Sequence, residues 1–313
     1  MNLFEIGPEA AAAALRALRT VARADGKEAD LERKFLEVAA RMYGAEKIDL
    51  DRLEPIDGAA LAKAITEPKE RERVVQACLL MGMADGEADK TESKIIREFA
   101  SALGVHEKRL SVFEKLASGA RTMARIDFMR SSMLPVMRRA LEGQGLAWVL
   151  KFFVLRAVST SENSELAWRY RQLGLLPEHT LGRRFWIHMR ENHFAFPGEI
   201  GGAPEFAVQH DVTHVLAGFS TQPEGEMQIA AFTAGMKKED GFTMCFFPML
   251  QFHAGLQIQP VVAPAKGAFD PEKFARAHAR GTKMKIDLSE GWDHWPHMER
   301  RCDDVAADLG ITP

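Results

Sequence analysis

The sequence predicts an all-α protein: an N-terminal helical bundle, a helical connector and a second, mainly helical metal-binding domain. Three observations carry that prediction. Apolar residues recur at helical spacing along most of the chain, a helix-turn-helix unit occurs twice with a 60-residue offset, and GLQIQPVVAP is the one short candidate strand. With 313 residues, 46% apolar and 27% charged, the chain has the length of about two globular domains. It can bury a core without disulfides or structural metal.

The first run, PEAAAAALRALRTVARADG, opens with Pro8 near a helix N-terminus and stops at Asp25-Gly26. LERKFLEVAARMYG then places Leu31, Phe35, Leu36, Ala39 and Met42 on one face and ends at Gly44. ERVVQACLLMGMADG and ESKIIREFASALGV repeat this plan. Ala24-Asp25-Gly26 followed by Glu32 returns as Ala84-Asp85-Gly86 followed by Glu92, with the same seven-residue step from Asp to Glu. One reading is architectural. Gly26 and Gly86 suit the left-handed position after a helix end, and Asp89 with Glu92 suits a capping box, for which the first copy has Ala29 in place of Asp. The other is a cation site made by Asp25, Glu32, Asp85 and Glu92, without the alternating ligand positions of an EF-hand.

These paired ADG-x(5)-E motifs on a helical segment resemble the TerB-like domains of tellurite-resistance proteins. The resemblance implies a compact helical domain over residues 1–120 whose acidic residues are available to cations, and does not imply tellurite chemistry.

Residues 121–164 read as a helical connector that packs on the second domain. It holds IDFMRSSMLPVMRRALEG, interrupted at Pro135, and GLAWVLKFFVLRAV, which is too short to span a membrane and carries Lys151 at its middle. The second domain, 165–313, starts with ELAWRYRQLGLL and ends that helix at Pro177. Thr180 caps LGRRFWIHMRENHF, GEIGGAP is a loop, and PEFAVQHDVTHVLAGF is a helix ending near Gly218. Thr221 and Glu224 have capping-box spacing for the next helix, and MERRCDDVAADLGI closes the chain. A short strand is expected in GLQIQPVVAP.

Composition excludes several classes. A net charge of −3, from 41 basic and 44 acidic residues, lacks the basic excess of a nucleic-acid binder. Cys78, Cys245 and Cys302 are odd in number and form no CxxC pair, which argues against a disulfide framework or a zinc ribbon and suits a reducing compartment. MNLFEIGPEA has neither a signal peptide's basic start nor its apolar run. A cytoplasmic protein is expected, with peripheral contact at the inner face of the membrane left open. P-loop, nucleophile-elbow and dinucleotide motifs are absent from the sequence.

The chemistry concentrates in His210-Asp211-Val212-Thr213-His214. On a helix His210, Asp211 and His214 fall within an arc of about 100°, beside the small Ala207 and Ala217. Glu226 lies one turn inside the following helix, on the face of Ile229 and Ala230, and a carboxylate there needs a partner. Two antiparallel helices joined by a short turn would bring Glu226 over the histidines. Two imidazoles and a carboxylate leave coordination positions open, as in a reactive metal centre. Asp211 then serves as a further ligand, as an orienter of a histidine, or as a base. A metalloprotease-like reading competes, but Asp211 replaces the Glu of HExxH and Gly218 is one residue late for the longer motif.

His210-Asp211-x-x-His214-x(11)-Glu226 is similar to the HD-x-x-H-x(11)-E motif of the coenzyme Q (ubiquinone) biosynthesis family, the Coq-four proteins. LPEHTLGRRFWIHMREN (Leu176 to Asn192), HVLAGFSTQPEGEM and the closing ARGTKMKIDL…DDVAADLGI resemble further segments of that family, in order, over about Glu165 to Ile311. The resemblance implies a mainly helical fold and a divalent metal held by His210, Asp211, His214 and Glu226. That metal is zinc by the family's usual assignment, with iron or manganese as alternatives. It also implies a polyprenylated quinone precursor as ligand, and other quinone-biosynthesis proteins as partners. The family is linked to loss of the ring C1 carboxyl with hydroxylation at that carbon, for which Asp211 would be the proton-handling catalytic residue. The stretch before His210 is shorter and richer in Gly than the family's, so another isoprenoid lipid is admissible. A lipid-binding scaffold with a structural metal, and a stress-response metal module led by the TerB-like half, are the alternatives.

Other residues receive plainer readings. His188 and His193 are expected in packing or at the surface, and Pro296 argues against His294 and His297 as ligands. Cys245 is expected to be a buried core thiol. The apolar runs AWVLKFFVL and CFFPMLQF read as core, with an isoprenoid tunnel lined by Trp148, Phe152, Phe153, Phe246, Phe247, Met249 and Phe252 as the alternative. Lys273, Arg276, Arg280 and Lys283 are candidate contacts for anionic lipid.

Overall fold

The structure is a computed structural model that describes residues 2–135, 162–237, 240–258, 262–289 and 291–312. It is helical, with no strand among the described residues. The N-terminal half holds α1 (Pro8–Ala22), α2 (Asp30–Met42), α3 (Gly58–Ala64), α4 (Pro68–Met81), α5 (Lys90–Leu103) and α6 (Lys108–Ala117). α7 (Arg121–Phe128) runs into a π-helical turn at Met129–Met133, ahead of Pro135. Then come α8 (Ser164–Gln172), α9 (Leu181–Glu191), α10 (Val208–Ala217), α11 (Pro223–Met236), α12 (Phe242–Pro248), α13 (Pro271–Gly281) and α14 (Cys302–Leu309).

The repeat is structural. α1 and α4 begin 60 residues apart, and so do α2 and α5. Gly26 and Gly86 adopt left-handed φ of 89° and 91°. Asp25 and Asp85 each accept from the N–H two residues on, at 2.9 Å, so the two turns are built alike. In the second copy Asp89 and Glu92 form a capping box. Ala29 has no acceptor to offer, so the first copy keeps only the return half, Glu32 accepting from Ala29 N–H at 2.6 Å. Glu32 and Glu92 are only 5% and 6% exposed, and their carboxyls face each other in a hydrogen bond. Burial, and for Glu92 the negative charge of its partner, push the pair well above the usual carboxylate range. The cluster is therefore two buried acids sharing a proton, with Asp25 and Asp85 nearby at the exposed turns.

The halves share one core. Phe128 packs on Phe246 and Phe247, and Arg121 donates to the carbonyls of Ala254 and Gly255, so the described start of the connector lies against the second half. Arg109 pairs with Asp240 at 3.0 Å and lies over the Phe242 ring. Buried His253 donates from Nε2 to the Ala84 carbonyl at 3.0 Å and accepts from Phe269 N–H at Nδ1, which fixes its neutral tautomer. Pro248 ends α12 and the chain continues as a π-helical turn, Met249–His253, that delivers this histidine. Lys34 pairs with Asp270 and Arg41 with Glu272, holding α13 on α2 around the Phe35–Phe269 contact.

α13 in turn backs α11. A Cβ at Gly281 would lie 2.0 Å from the Phe232 carbonyl oxygen, and one at Gly235 would lie 2.4 Å from that of His278. The two helices approach this closely because neither crossing position carries a side chain. The expected strand in GLQIQPVVAP is not formed over its described residues, and 259–261 lie outside them. No partner strand is present among the described residues. Instead the fully buried Gln251 side chain accepts from Ile258 N–H and donates to the Val262 carbonyl, both at 2.7 Å, doing the work of a ladder. Cys78, Cys245 and Cys302 are buried free thiols, as a core role requires, and burial pushes all three up.

The Glu32–Glu92 pair makes a pH prediction. The folded protein holds protons there that the unfolded chain releases above about pH 4.5, so the pair's contribution to stability is greatest below that pH and declines as pH rises through neutrality. Glu92→Gln keeps a donor and removes the repulsion. Thermal melts should show the variant about 3 °C more stable at pH 8 and little changed at pH 4.5. An equal change at both pH values would contradict the shared-proton pair.

Candidate metal centre

Local sequence positions α10 and α11 as a tight hairpin. A 3-10 turn, Glu205–Ala207, leads into α10, and Glu205 accepts from Trp295 Nε1 at 2.8 Å and from Tyr170 hydroxyl at 3.2 Å. Gln209 donates to the Trp292 carbonyl, so the tail holds the start of α10 from outside. Gly218, with φ of 74°, ends the helix. α11 starts with Pro223 at its first position and Gln222 as cap, without the capping box expected of Thr221 and Glu224. Thr221 hydroxyl instead bonds the Asn192 side chain at the end of α9, and Glu224 pairs with Lys273. A Cβ at Gly225 would lie 1.9 Å from the Ser220 carbonyl oxygen, so only glycine lets the turn close against α11.

The hairpin brings His210, His214 and Glu226 together. His214 Nε2 is 3.2 Å from His210 Nε2 and 3.2 Å from Glu226 Oε1, and His210 Nε2 is 3.5 Å from Glu226 Oε2. Among the described residues this is the one trio of His, Cys, Asp or Glu whose ligand atoms all lie within 4.8 Å of one another. Ligands at zinc distances of 2.0–2.1 Å in a tetrahedral array are separated by about 3.3–3.4 Å, close to these contacts, in which Glu226 offers Oε1 to His214 and Oε2 to His210. His214 Nδ1–H donates to the Phe219 carbonyl at 3.1 Å, which leaves the Nε2 lone pair facing the trio. The donor set and its spacing fit a divalent metal.

Exposure grades across the trio. The His214 side chain is fully buried, Glu226 is 20% exposed and His210 52% exposed, so the site opens on the His210 side. Although half of the His210 side chain is exposed, the protein packed around its ring opposes charge there, and the hydrogen bond and charge of Glu226 outweigh this and push its pKa up to about 9. Burial likewise opposes charge on Glu226, and the two histidines hold its carboxyl down at about 2. In the metal-free protein a proton thus occupies the ground a metal would take.

Asp211 does not join the trio. Its Oδ1 lies 3.9 Å from His188 Nε2, on the side toward α9. His188, expected in packing or at the surface, stacks on the His214 ring with centroids 5.7 Å apart. One signal was present: His188 is three residues past buried Phe185 and one before buried Met189, so a polar ring stands beside the apolar stripe of α9. His294 is elsewhere, buried against Tyr170 with a 2.8 Å hydrogen bond to its hydroxyl. Among the described residues no three of Asp25, Glu32, Asp85 and Glu92 form a trio of that compactness.

The remaining expectations divide. Phe246, Met249 and Phe252 are buried among Phe128, Phe242 and Phe247, so they build the core reading of CFFPMLQF. Trp148, Phe152 and Phe153 lie outside the described residues. Of the basic set, Lys273 pairs with Glu224, Arg276 with Glu272 at 3.8 Å, and Arg280 donates to the carbonyls of Ala217 and Thr312, so these three already have protein partners. No helix among the described residues is long and apolar enough to cross a membrane.

The chain is an all-helical protein that carries a repeated Asp-Gly-turn half and a two-histidine, one-carboxylate trio on a helical hairpin. Residues 46–113 match the family described as Tellurite resistance protein TerB, which shows the TerB likeness from before α3 to within α6. The chain is also similar to a solved structure from Nostoc punctiforme PCC 73102, a "putative ubiquinone biosynthesis protein", at 18% identity and a TM-score of 0.36. That likeness covers 66% of this chain and 98% of the other. No curated protein matches the chain.

The raised His210 pKa makes metal uptake a proton exchange. Near pH 7 the metal-free site holds about one proton that a bound ion must displace, so affinity should rise about tenfold per pH unit up to about pH 9. Titration calorimetry with zinc in two buffers of different ionisation enthalpy should report about one proton released per ion. Release of none would contradict the assigned ligand set.

Proposed function

We propose that the protein is a metal-dependent component of ubiquinone or related isoprenoid-quinone biosynthesis, binding a prenylated aromatic precursor and supporting decarboxylation with hydroxylation at ring C1, in which CO2 leaves and an external two-electron oxidant such as dioxygen supplies the hydroxyl oxygen. The observation that carries this reading is the convergence of His210, His214 and Glu226 within 3.2–3.5 Å. These are the residues of the HD-x-x-H-x(11)-E motif that resembles the Coq-four family. A metal held there, zinc first and iron or manganese as alternatives, would act as a Lewis acid on a ring oxygen or carboxylate.

The chain's own residues have separate tasks. His214, fully buried and fixed by the Phe219 carbonyl, is the rigid ligand. Glu226 supplies negative charge held on α11. His210, half exposed, faces the open side from which a head group would enter. Asp211, next to His210 in sequence, would hold or move a proton at its carboxylate. Its Oδ1 lies 3.9 Å from His188 Nε2. The prenyl tail would lie along apolar surface, at roughly 0.8 kcal/mol per buried methylene, so a few isoprene units would dominate affinity. Loading from the inner face of a membrane and assembly with other quinone-biosynthesis proteins belong to the same reading.

His214→Ala tests it. The purified variant should carry less than about one-tenth of the wild type's metal by elemental analysis while its helical circular dichroism is unchanged. Mass spectrometry of organic extracts should find a prenylated aromatic acid with the wild type. Full metal content in the variant, or wild-type protein that neither carries nor takes up such a lipid from liposomes, would contradict the proposal.

A further inference from the structure

His188 has no place in the motif that marks the centre, yet the fold puts it there. It comes from α9, a different helix from either arm of the hairpin, and α9 is fixed at both ends. Thr180 hydroxyl accepts from Arg183 N–H, while the Leu181 and Gly182 N–H groups donate to the carbonyls of Arg300 and Met298 in the tail. At the other end Asn192 donates to the His188 carbonyl and bonds Thr221 in the hairpin turn. With the helix so fixed, the ring stacks on the His214 imidazole at 24° between planes and meets the Phe194 ring at 65°.

Its Nε2 is a buried polar atom without a hydrogen-bond partner, and leaving such a group unpaired is costly. The group facing it is Asp211 Oδ1, 3.9 Å away, on a side chain that is itself only 17% exposed. A hydrogen bond between them needs the two atoms to close by about 1 Å. Metal-binding sites commonly hold their carboxylates and imidazoles from behind by such contacts, and their loss weakens metal binding by about 10–100-fold.

We infer that His188 is a positioning residue of the metal centre: its Nε2–H donates to Asp211 in the metal-loaded protein and sets which way that carboxylate faces, while its ring backs His214. This rests on the metal-centre reading above and adds a residue that the motif does not contain. His188 is not a ligand, since its Nε2 lies outside the trio.

The test separates ring from donor. His188→Phe keeps an aromatic ring against His214 and removes the N–H, and His188→Gln restores an N–H donor near the Nε2 position. Zinc affinity is measured by competition with a chromophoric chelator, and the ligand field by the visible absorption of the cobalt(II) form. His188→Phe should bind zinc about tenfold more weakly and shift the cobalt bands. His188→Gln should recover affinity to within about threefold, with bands like the wild type's. Asp211→Asn combined with His188→Phe should bind no more weakly than Asp211→Asn alone. If His188→Phe does not fold, His188→Ala takes its place in the same comparison. Wild-type affinity and bands in the donor-less variant, failure of Gln to recover them, or losses that multiply in the double variant would each overturn the inference. A wild type that binds neither zinc nor cobalt would instead overturn the metal-centre reading on which it rests.

Discussion

Glu226 stands on a helix whose neighbouring buried positions are Gly225, Met227, Ile229, Ala231 and Phe232. A carboxylate in such company is costly unless cations or donors meet it. Here two imidazoles do, at 3.2 and 3.5 Å, and they hold its pKa near 2. The hairpin depends on that arrangement. α10 must end sharply at Gly218, the turn must pass close enough to Gly225 that no side chain fits, and α11 must keep its rotation so that Glu226 faces α10. Rotation is enforced from behind by α13, against which Gly235 and Gly281 allow backbone contact.

The N-terminal half belongs to the same mechanical frame. α13 rests on α2 through Lys34–Asp270, Arg41–Glu272 and the Phe35–Phe269 contact. The second Asp-Gly turn rests on His253, which reaches the Ala84 carbonyl, and that histidine follows the helix carrying Phe242 and Phe246. The core is continuous across both halves. A change at the buried Glu32–Glu92 pair is thus one packed layer from the elements that back α11. Such a shared core resembles an obligate interface more than a flexible tether.

Periodic patterns were legible in the sequence and long-range contacts were not. The helices of the repeat, the Asp89–Glu92 capping box, the Thr180 cap and the end of α10 at Gly218 all follow from local chemistry, and they stand where spacing puts them. The trio was legible because its three members lie within seventeen residues on two consecutive helices. Thr221 and Glu224 show the limit. Their spacing suits a capping box, but Asn192 and Lys273, distant in sequence, take both side chains. The strand in GLQIQPVVAP fails likewise, because the Gln251 side chain satisfies backbone that β-propensity assigned to a ladder. The repeat paired Glu32 with Glu92 as cation ligands, while their direct carboxyl contact joins separate helices, as does the approach of His188 to Asp211, which no local pattern announces.

One measurement bears most directly on the central claim, that two imidazoles of one helix and a carboxylate of the next bind a single metal ion. X-ray absorption fine structure of the zinc-loaded protein reads the ligand set without reference to activity. Nitrogen and oxygen neighbours are expected at about 2.0–2.1 Å, with outer-shell scattering from two imidazole rings. A first shell containing sulfur at about 2.3 Å, or one without imidazole scattering, would contradict it.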